Sequence, residues 1–306
     1  MNQPMIRFNQ VVKRYRKKVV LDGLDVQVDA GRTTVLLGEN GAGKTTVVRL
    51  LSGLARPAAG TILVDGVPPE DAKPALGVLF EDPQVYPHLD GWTNLELLAG
   101  QITVSDAERG AILSMLGLDN MLLQRRGRGY SFGQKRRLTL AAVLCRNPKI
   151  FVLDEPTNGL DPDGVEAFLA VMQTARQQGK TLLVTGQDLT AFDSLADDVL
   201  ILADGRIAEI RDWPSSRRRL PSVLFVRAMP IDRVRQDLSS QDMARLQCTW
   251  LADAVRITGD HTSLQRLAAE LTSRRDVDVQ ELRFEQPTLL DVYRLRMGGS
   301  LDHGNS

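Results

Sequence analysis

Short apolar runs recur along the first two thirds of the chain and alternate with stretches in which apolar residues return every three or four positions. Thr34–Leu37, Ile150–Leu153, Thr181–Thr185 and Val199–Leu202 are uninterrupted runs of apolar or β-branched residues. That is the pattern of strands buried on both faces of a sheet. Helical periodicity between them, as in Thr46–Leu51, predicts an α/β body: a mostly parallel sheet core covered by helices. From about residue 86 to 147 the helical patterns crowd together. Ser105-Asp106-Ala107-Glu108 has the spacing of a capping box and opens a helix running to about Leu116. This stretch is expected to be a helical subdomain inserted in a large domain spanning residues 1–210.

After Ile210 the texture changes. Residues 211–221, basic and bounded by Pro214 and Pro221, are expected to form a linker. Over 222–298 a β/α alternation restarts. Strands are expected near Val223–Val226, Ala254–Ile257 and Val277–Phe284, helices near Ile231–Leu246 and Ser263–Leu271, and a last helix after Pro287. These elements describe a small C-terminal α+β domain, with a ferredoxin-like arrangement as one way to build it. Residues 299–306 are expected to fray as a tail.

Composition narrows the picture. At 306 residues and 43% hydrophobic content the chain can build two cores. Its 38 basic residues balance 38 acidic ones, so no net field favours nucleic acid as a partner. Cys145 and Cys248 lie far apart without Cys or His companions and read as small buried hydrophobes rather than a zinc site or a disulfide. Residues 1–10 lack the layout of a signal peptide, and no run approaches the roughly 18 apolar residues that would span a bilayer. A cytoplasmic location is therefore expected.

Three motifs carry chemistry. Gly38-Glu39-Asn40-Gly41-Ala42-Gly43-Lys44-Thr45 follows one apolar run and precedes a helical one, the context a phosphate-binding loop requires. Glycines let successive N–H groups curl toward phosphate oxygens, and the helix N-terminus adds its dipole. Gly38 through Thr46 are thus candidate nucleotide-binding residues, Lys44 for the β- and γ-phosphates and Thr45 for a magnesium ion. The plain alternative is a glycine-rich turn before a lysine. Ile150-Phe151-Val152-Leu153-Asp154-Glu155 sets two carboxylates at the C-terminal end of a strand, where open α/β sheets bind ligands. Asp154 is expected to hold magnesium, directly or through water, and Glu155 to act as general base. The third motif, Ser131-Phe132-Gly133-Gln134, opens a helical run over Lys135–Leu144, and by itself would be a helix start with Ser131 as N-cap.

In this order and at these intervals the motifs resemble those of the nucleotide-binding subunits of ABC transporters, over about Ile6–Ile210. The resemblance implies a P-loop NTPase cassette that binds ATP and Mg2+, hydrolyses ATP and powers a separate transmembrane permease from the inner face of the cell membrane. Tyr15 resembles the family's adenine-stacking aromatic, though it is also an ordinary strand-end tyrosine. Ser131, Gly133 and Gln134 resemble the signature that contacts ATP held by a second subunit, so a head-to-tail dimer, expected as a homodimer, is implied. Thr157-Asn158-Gly159-Leu160-Asp161 resembles the segment crossing that seam, with Asp161 as its polar contact. Gln286–Tyr293 is similar to a closing motif of the drug and antibiotic exporter branch; it also reads as a proline-started helix with an apolar face.

The sequence departs from the family pattern at several positions. Tyr130 and Phe132 flank Ser131 in a form familiar in the exporter branch. Glu81 stands where the family usually has glutamine, with Gln84 nearby, and could position magnesium and water with the ion offsetting its charge. Gln187 stands where a histidine usually follows the strand Thr181–Thr185; it can donate to a γ-phosphate but carries no charge and relays no proton. His88 falls in a segment that in the family faces the permease. An alternative reading is therefore a weakly hydrolysing, nucleotide-binding regulatory subunit of a heterodimeric complex. Soluble ABC proteins of translation or DNA repair usually fuse two cassettes or carry a long coiled coil, and this sequence shows neither.

Overall fold

The structure is a computed structural model that describes residues 4–186, 190–220, 222–240, 246–274 and 276–296. It divides into two compact units, 1–211 and 212–306, described separately.

The first unit contains two sheets. Strands β1 (Pro4–Tyr15), β2 (Lys18–Asp29) and, later, β4 (Ala59–Val64) form an antiparallel sheet in the order β2-β1-β4. The other sheet runs β5 (Leu76–Leu79), β6 (Ile150–Asp154), β7 (Thr181–Gly186), β3 (Thr33–Leu37), β8 (Asp198–Ala203), β9 (Arg206–Ile210), parallel except for β9. Every residue of β3, β6 and β7 is buried, which accounts for their continuous apolar character. Helix α1 (Lys44–Leu51) packs between the two sheets. Its Val47, Val48, Leu50 and Leu51 share one core with Ile6, Phe8 and Val26 of the antiparallel sheet and Leu36, Val152 and Leu183 of the parallel one.

Residues between β5 and β6 are helical as expected: α2 (Gly91–Ala99), α3 (Asp106–Met115), α4 (Asn120–Leu123), a 3-10 turn at Gly127–Gly129 and α5 (Phe132–Cys145). Side chains at their N-caps explain where they start. Asp90, Ser105, Asp119 and Ser131 each accept a hydrogen bond from a first-turn N–H, and Ser105–Glu108 and Ser131–Gln134 form reciprocal capping boxes. Helix α6 (Pro162–Gln177) follows β6, with Asp161 as N-cap and Pro162 in its first turn.

The second unit holds α7 (Trp213–Ser216), β10 (Ser222–Met229), α8 (Ile231–Ser240), β11 (Gln247–Trp250), β12 (Ala254–Gly259), α9 (His261–Ser273), β13 (Asp278–Glu285) and α10 (Leu289–Arg296). Its sheet order is β11-β12-β10-β13 with antiparallel neighbours, the ferredoxin-like arrangement of a βαββαβ chain. Leu224, Val226, Val255 and Ile257 of the sheet pack with Val234, Leu264 and Leu271 of the helices. Helix α8 is described over Ile231–Ser240, the expected helix continuing into residues 241–245, which lie outside the described residues; the four-residue strand β11, unexpected from sequence, pairs with β12. The stretch 211–221 expected to be a linker holds α7 and a 3-10 turn at Arg217–Arg219, because Trp213-Pro214 supplies a proline at the first turn of a helix. Cys145 is fully buried and Cys248 half-buried; burial pushes both thiols up to about 11.

Candidate functional site

Between β3 and α1 the chain from Gly38 to Gly43 turns back on itself. Gly43, N-cap of α1, has φ +114°, and a Cβ there would lie 3.0 Å from Val20 Cγ1. Only glycine adopts this backbone without strain. Among the described residues no side chain caps α1, so its N-terminal N–H groups face the loop without a side-chain acceptor. Lys44 is buried. Its ammonium donates to the carbonyls of Gly38 at 2.8 Å and Glu39 at 3.3 Å, and lies 3.4 Å from Glu155 Oε1. One cation thus joins the loop after β3 to the acid after β6.

These elements border an open cleft of about 460 Å3, lined by Val20, Glu39–Gly41, Gly43–Thr46, Glu81, Glu155 and Asn158. Its size suits a nucleotide-scale ligand, and helix dipole, lysine and free N–H groups make it a place for anions.

At the far end of β6, Asp154 is wholly buried and sits in register with Thr185 on β7. The Thr185 hydroxyl donates to Asp154 Oδ1, whereas Oδ2 has no hydrogen-bond partner among the described residues. Glu155 has a left-handed backbone, φ +46°, a conformation that costs a non-glycine residue free energy and clusters at functional sites. Its N–H donates to Thr185 O at 3.0 Å.

The cleft brings together Glu39, Asn40, Gly41, Gly43, Lys44, Thr45, Thr46, Glu81 and Glu155; Gly38 and Ala42 belong to the same loop without lining it. Other expected residues stand elsewhere. Tyr15 is exposed at the β1–β2 hairpin, with the Lys13 ammonium 4.9 Å from its ring centroid. Ser131 and Gln134 cap each other at the start of α5, and Gly133 follows Phe132, whose ring sits against Gly159. Asp161 is exposed and accepts from Gly164 N at 3.0 Å. Gln84 and His88 are exposed. Gln187 lies outside the described residues.

Three contributors had not been singled out from sequence. Val20 and Asn158 line the cleft, and Thr185 orients Asp154. Asn158 falls inside a segment already marked; a threonine at the end of a buried strand gives no signal of its own.

Comparison with known proteins bears directly on this geometry. The ABC transporter family profile matches residues 21–158, from the strand behind the loop to the segment after Glu155. A Nod factor export ATP-binding protein from Burkholderia orbicola is 38% identical over 213 residues, covering 67% of this chain and 70% of that protein. The chain belongs to the ABC transporter ATP-binding family. A lantibiotic transport ATP-binding protein, SrtF of Streptococcus pyogenes, is 29% identical over 69% of this chain and 93% of its own length. Among solved structures, the ATP-binding subunit of an ABC transporter superposes with TM-score 0.64 at 27% identity, covering 70% of this chain and 92% of that one. A dimeric ATP-binding cassette bound to ADP and phosphate gives TM-score 0.62 at 23% identity over 68% of this chain and 98% of its own, a likeness of fold. The ABC cassette therefore resembles exporter-type members of its family, and its mostly parallel sheet is that of a P-loop NTPase.

Proposed function

We propose that this cassette binds magnesium-ATP in the cleft between Gly38 and Glu155, hydrolyses it, and uses the cycle to drive a separate membrane permease that exports small molecules, drugs or antibiotics. The observation that carries the reading is the Lys44 ammonium, held between the loop carbonyls and the Glu155 carboxylate in the lining of a nucleotide-sized cleft. Phosphate oxygens would compete with those partners for its donors and release the carboxylate toward a water.

The residues present fit a magnesium ion: Asp154 Oδ2 is a buried carboxylate oxygen with no partner among the described residues, a costly arrangement unless a cation or its water uses it. Thr45, Asp154 and Glu81 would hold the ion. An ion held by these residues would supply positive charge to offset the charge that develops on the phosphates during hydrolysis. Glu155 would take the proton of the attacking water, a contribution typically of about 10²–10⁴ in rate. Gly38–Thr46 would cradle the phosphates, and Tyr15 would stack on adenine for about 1–3 kcal/mol by analogy with base stacking. Gln187 would donate to the γ-phosphate. Ser131, Gly133, Gln134 and Asp161 would meet the ATP of a second copy of the chain across a head-to-tail seam. ATP closes that dimer and hydrolysis reopens it, moving the permease between its two states.

Export is supported by the relatives, which include Nod factor export and lantibiotic transport ATP-binding proteins. No helix among the described residues is long and apolar enough to cross a membrane; attachment at the cytoplasmic face through a permease is part of the proposal. The charge balance gives no support to nucleic acid as a partner.

A second reading rests on Gln187 and Glu81: a regulatory subunit that holds nucleotide while a different cassette turns it over. Steady-state phosphate release from magnesium-ATP separates the two. The first reading expects turnover in the wild type, lost in Glu155→Gln with ATP binding retained. Silence in the wild type, with turnover gained in Gln187→His, would transfer the assignment to the second.

A further inference from the structure

Helix α5 carries Lys135, Arg136 and Arg137 in succession, and only the middle one is buried, at 1% exposure. A guanidinium offers five N–H donors, and each of Arg136's meets a main-chain carbonyl. Nε donates to Pro156 O at 3.4 Å. One terminal nitrogen donates to Phe80 O and to Glu81 O, the latter at 2.8 Å. The other donates to Asp154 O and Glu155 O, both at 2.6 Å. Among the described residues Arg136 makes no ion pair. Burial pulls its pKa down to about 10 against the opposing pull of Asp154, Glu81 and Glu155, so the group stays charged at neutral pH.

The carbonyls belong to two segments, Phe80–Glu81 after β5 and Asp154–Pro156 after β6. Each carries an acid that lines the cleft, Glu81 in one and Glu155 in the other. A single rigid fork therefore sets the separation of the two main chains and holds Glu155 in its left-handed conformation. The same side chain belongs to the helix that starts at Ser131, so a shift of that helix start would be felt at both acids together.

We propose that Arg136 is a positioning residue: it fixes the backbones that present Glu81 and Glu155 and couples them to the N-terminus of α5. The inference rests on the reading of the cleft as a magnesium-ATP site. Lysine, a compact charge on a flexible stem, cannot reproduce the fork, so Arg136→Lys isolates the geometry from the charge. Arg136→Ala removes both.

The test is equilibrium binding of a fluorescent ATP analogue with and without Mg2+, on folded Arg136→Lys, Arg136→Ala and wild type, followed by kcat and KM. Residues supporting a metal's ligands typically contribute ~10–100-fold to metal affinity or activity. Affinity without Mg2+ is expected to stay near wild type because Gly38–Thr46 is untouched. The strengthening by Mg2+ is expected to fall by that factor in both variants, kcat with it, while KM for the magnesium complex rises. Guanidinium ion added to Arg136→Ala is expected to restore part of the Mg2+ effect. Should Arg136→Lys bind with the wild-type Mg2+ dependence, the proposal is overturned. Equal loss of binding with and without Mg2+, unrelieved by guanidinium, would also overturn it and leave Arg136 a purely structural cation. A wild type that binds but does not turn over would refute the hydrolytic reading while the binding comparison still decides Arg136.

Discussion

Substituting valine for Thr185 keeps the side-chain shape and removes one donor, the hydroxyl that bonds Asp154 Oδ1. Both residues are fully buried, and among the described residues Oδ2 has no partner, so the carboxylate loses its one side-chain donor there. A hydrogen bond to a charged group contributes about 1.5–3 kcal/mol, and for a unit of this size each kcal/mol shifts Tm by about 2–4 °C, so Thr185→Val should lower Tm by about 3–12 °C. Thr185→Ser keeps the donor and loses one methyl, about 0.8 kcal/mol, and should lower Tm by less. Because a cation at Asp154 replaces the missing donor, magnesium-ATP should raise Tm more in Thr185→Val than in the wild type. Differential scanning fluorimetry with and without magnesium-ATP measures all of this. Equal melting of Val and Ser variants, or an identical increment on adding ligand, would refute the assignment of Asp154 as a magnesium-holding group.

Other consequences are as specific. Gly43→Ala puts a Cβ on a backbone of φ +114° and 3.0 Å from Val20 Cγ1. Strain of about 1–3 kcal/mol corresponds to roughly 5- to 150-fold weaker ATP binding, measurable by titration; unchanged affinity would show that the loop does not need this conformation. With thiols pushed up to about 11 by burial, Cys145 and Cys248 carry almost no thiolate at neutral pH. Iodoacetamide near neutrality should therefore label neither until the protein is unfolded, as mass spectrometry would show.

What could be read from sequence follows from what repeats in it. β3, β6 and β7 are buried on both faces, so each writes a continuous apolar run, and the Ser105–Glu108 box writes its helix start into four residues. The sheet β2-β1-β4 was less legible. β1 is interrupted by register shifts that break its alternation, and a strand-by-strand pattern does not announce which sheet a strand joins. β11 is a four-residue, half-buried edge whose identity comes from pairing with β12 rather than from its own residues.

The loop glycines and Lys44, which the structure gathers at one cleft, stood out in the sequence because their spacing matches the phosphate-loop pattern. Arg136 was not, since between Lys135 and Arg137 it looks like one more charge on a solvated face; only the fold places carbonyls from two distant segments around it. Ser131 illustrates a further limit. Its N-cap bond is local and legible, whereas any contact across a dimer seam depends on a second copy of the chain.

The most direct test of the account is a single-turnover experiment, in which excess protein is mixed with a limiting amount of radiolabelled magnesium-ATP, quenched in acid and resolved into ATP and phosphate. It detects bond cleavage without product release or a permease. Wild-type protein is expected to convert the bound ATP to ADP and phosphate, while Glu155→Gln binds the same ATP and leaves it intact. ATP that stays uncleaved on the wild type, or cleavage that proceeds equally in Glu155→Gln, would contradict the claim that this cleft hydrolyses ATP with Glu155 as its base.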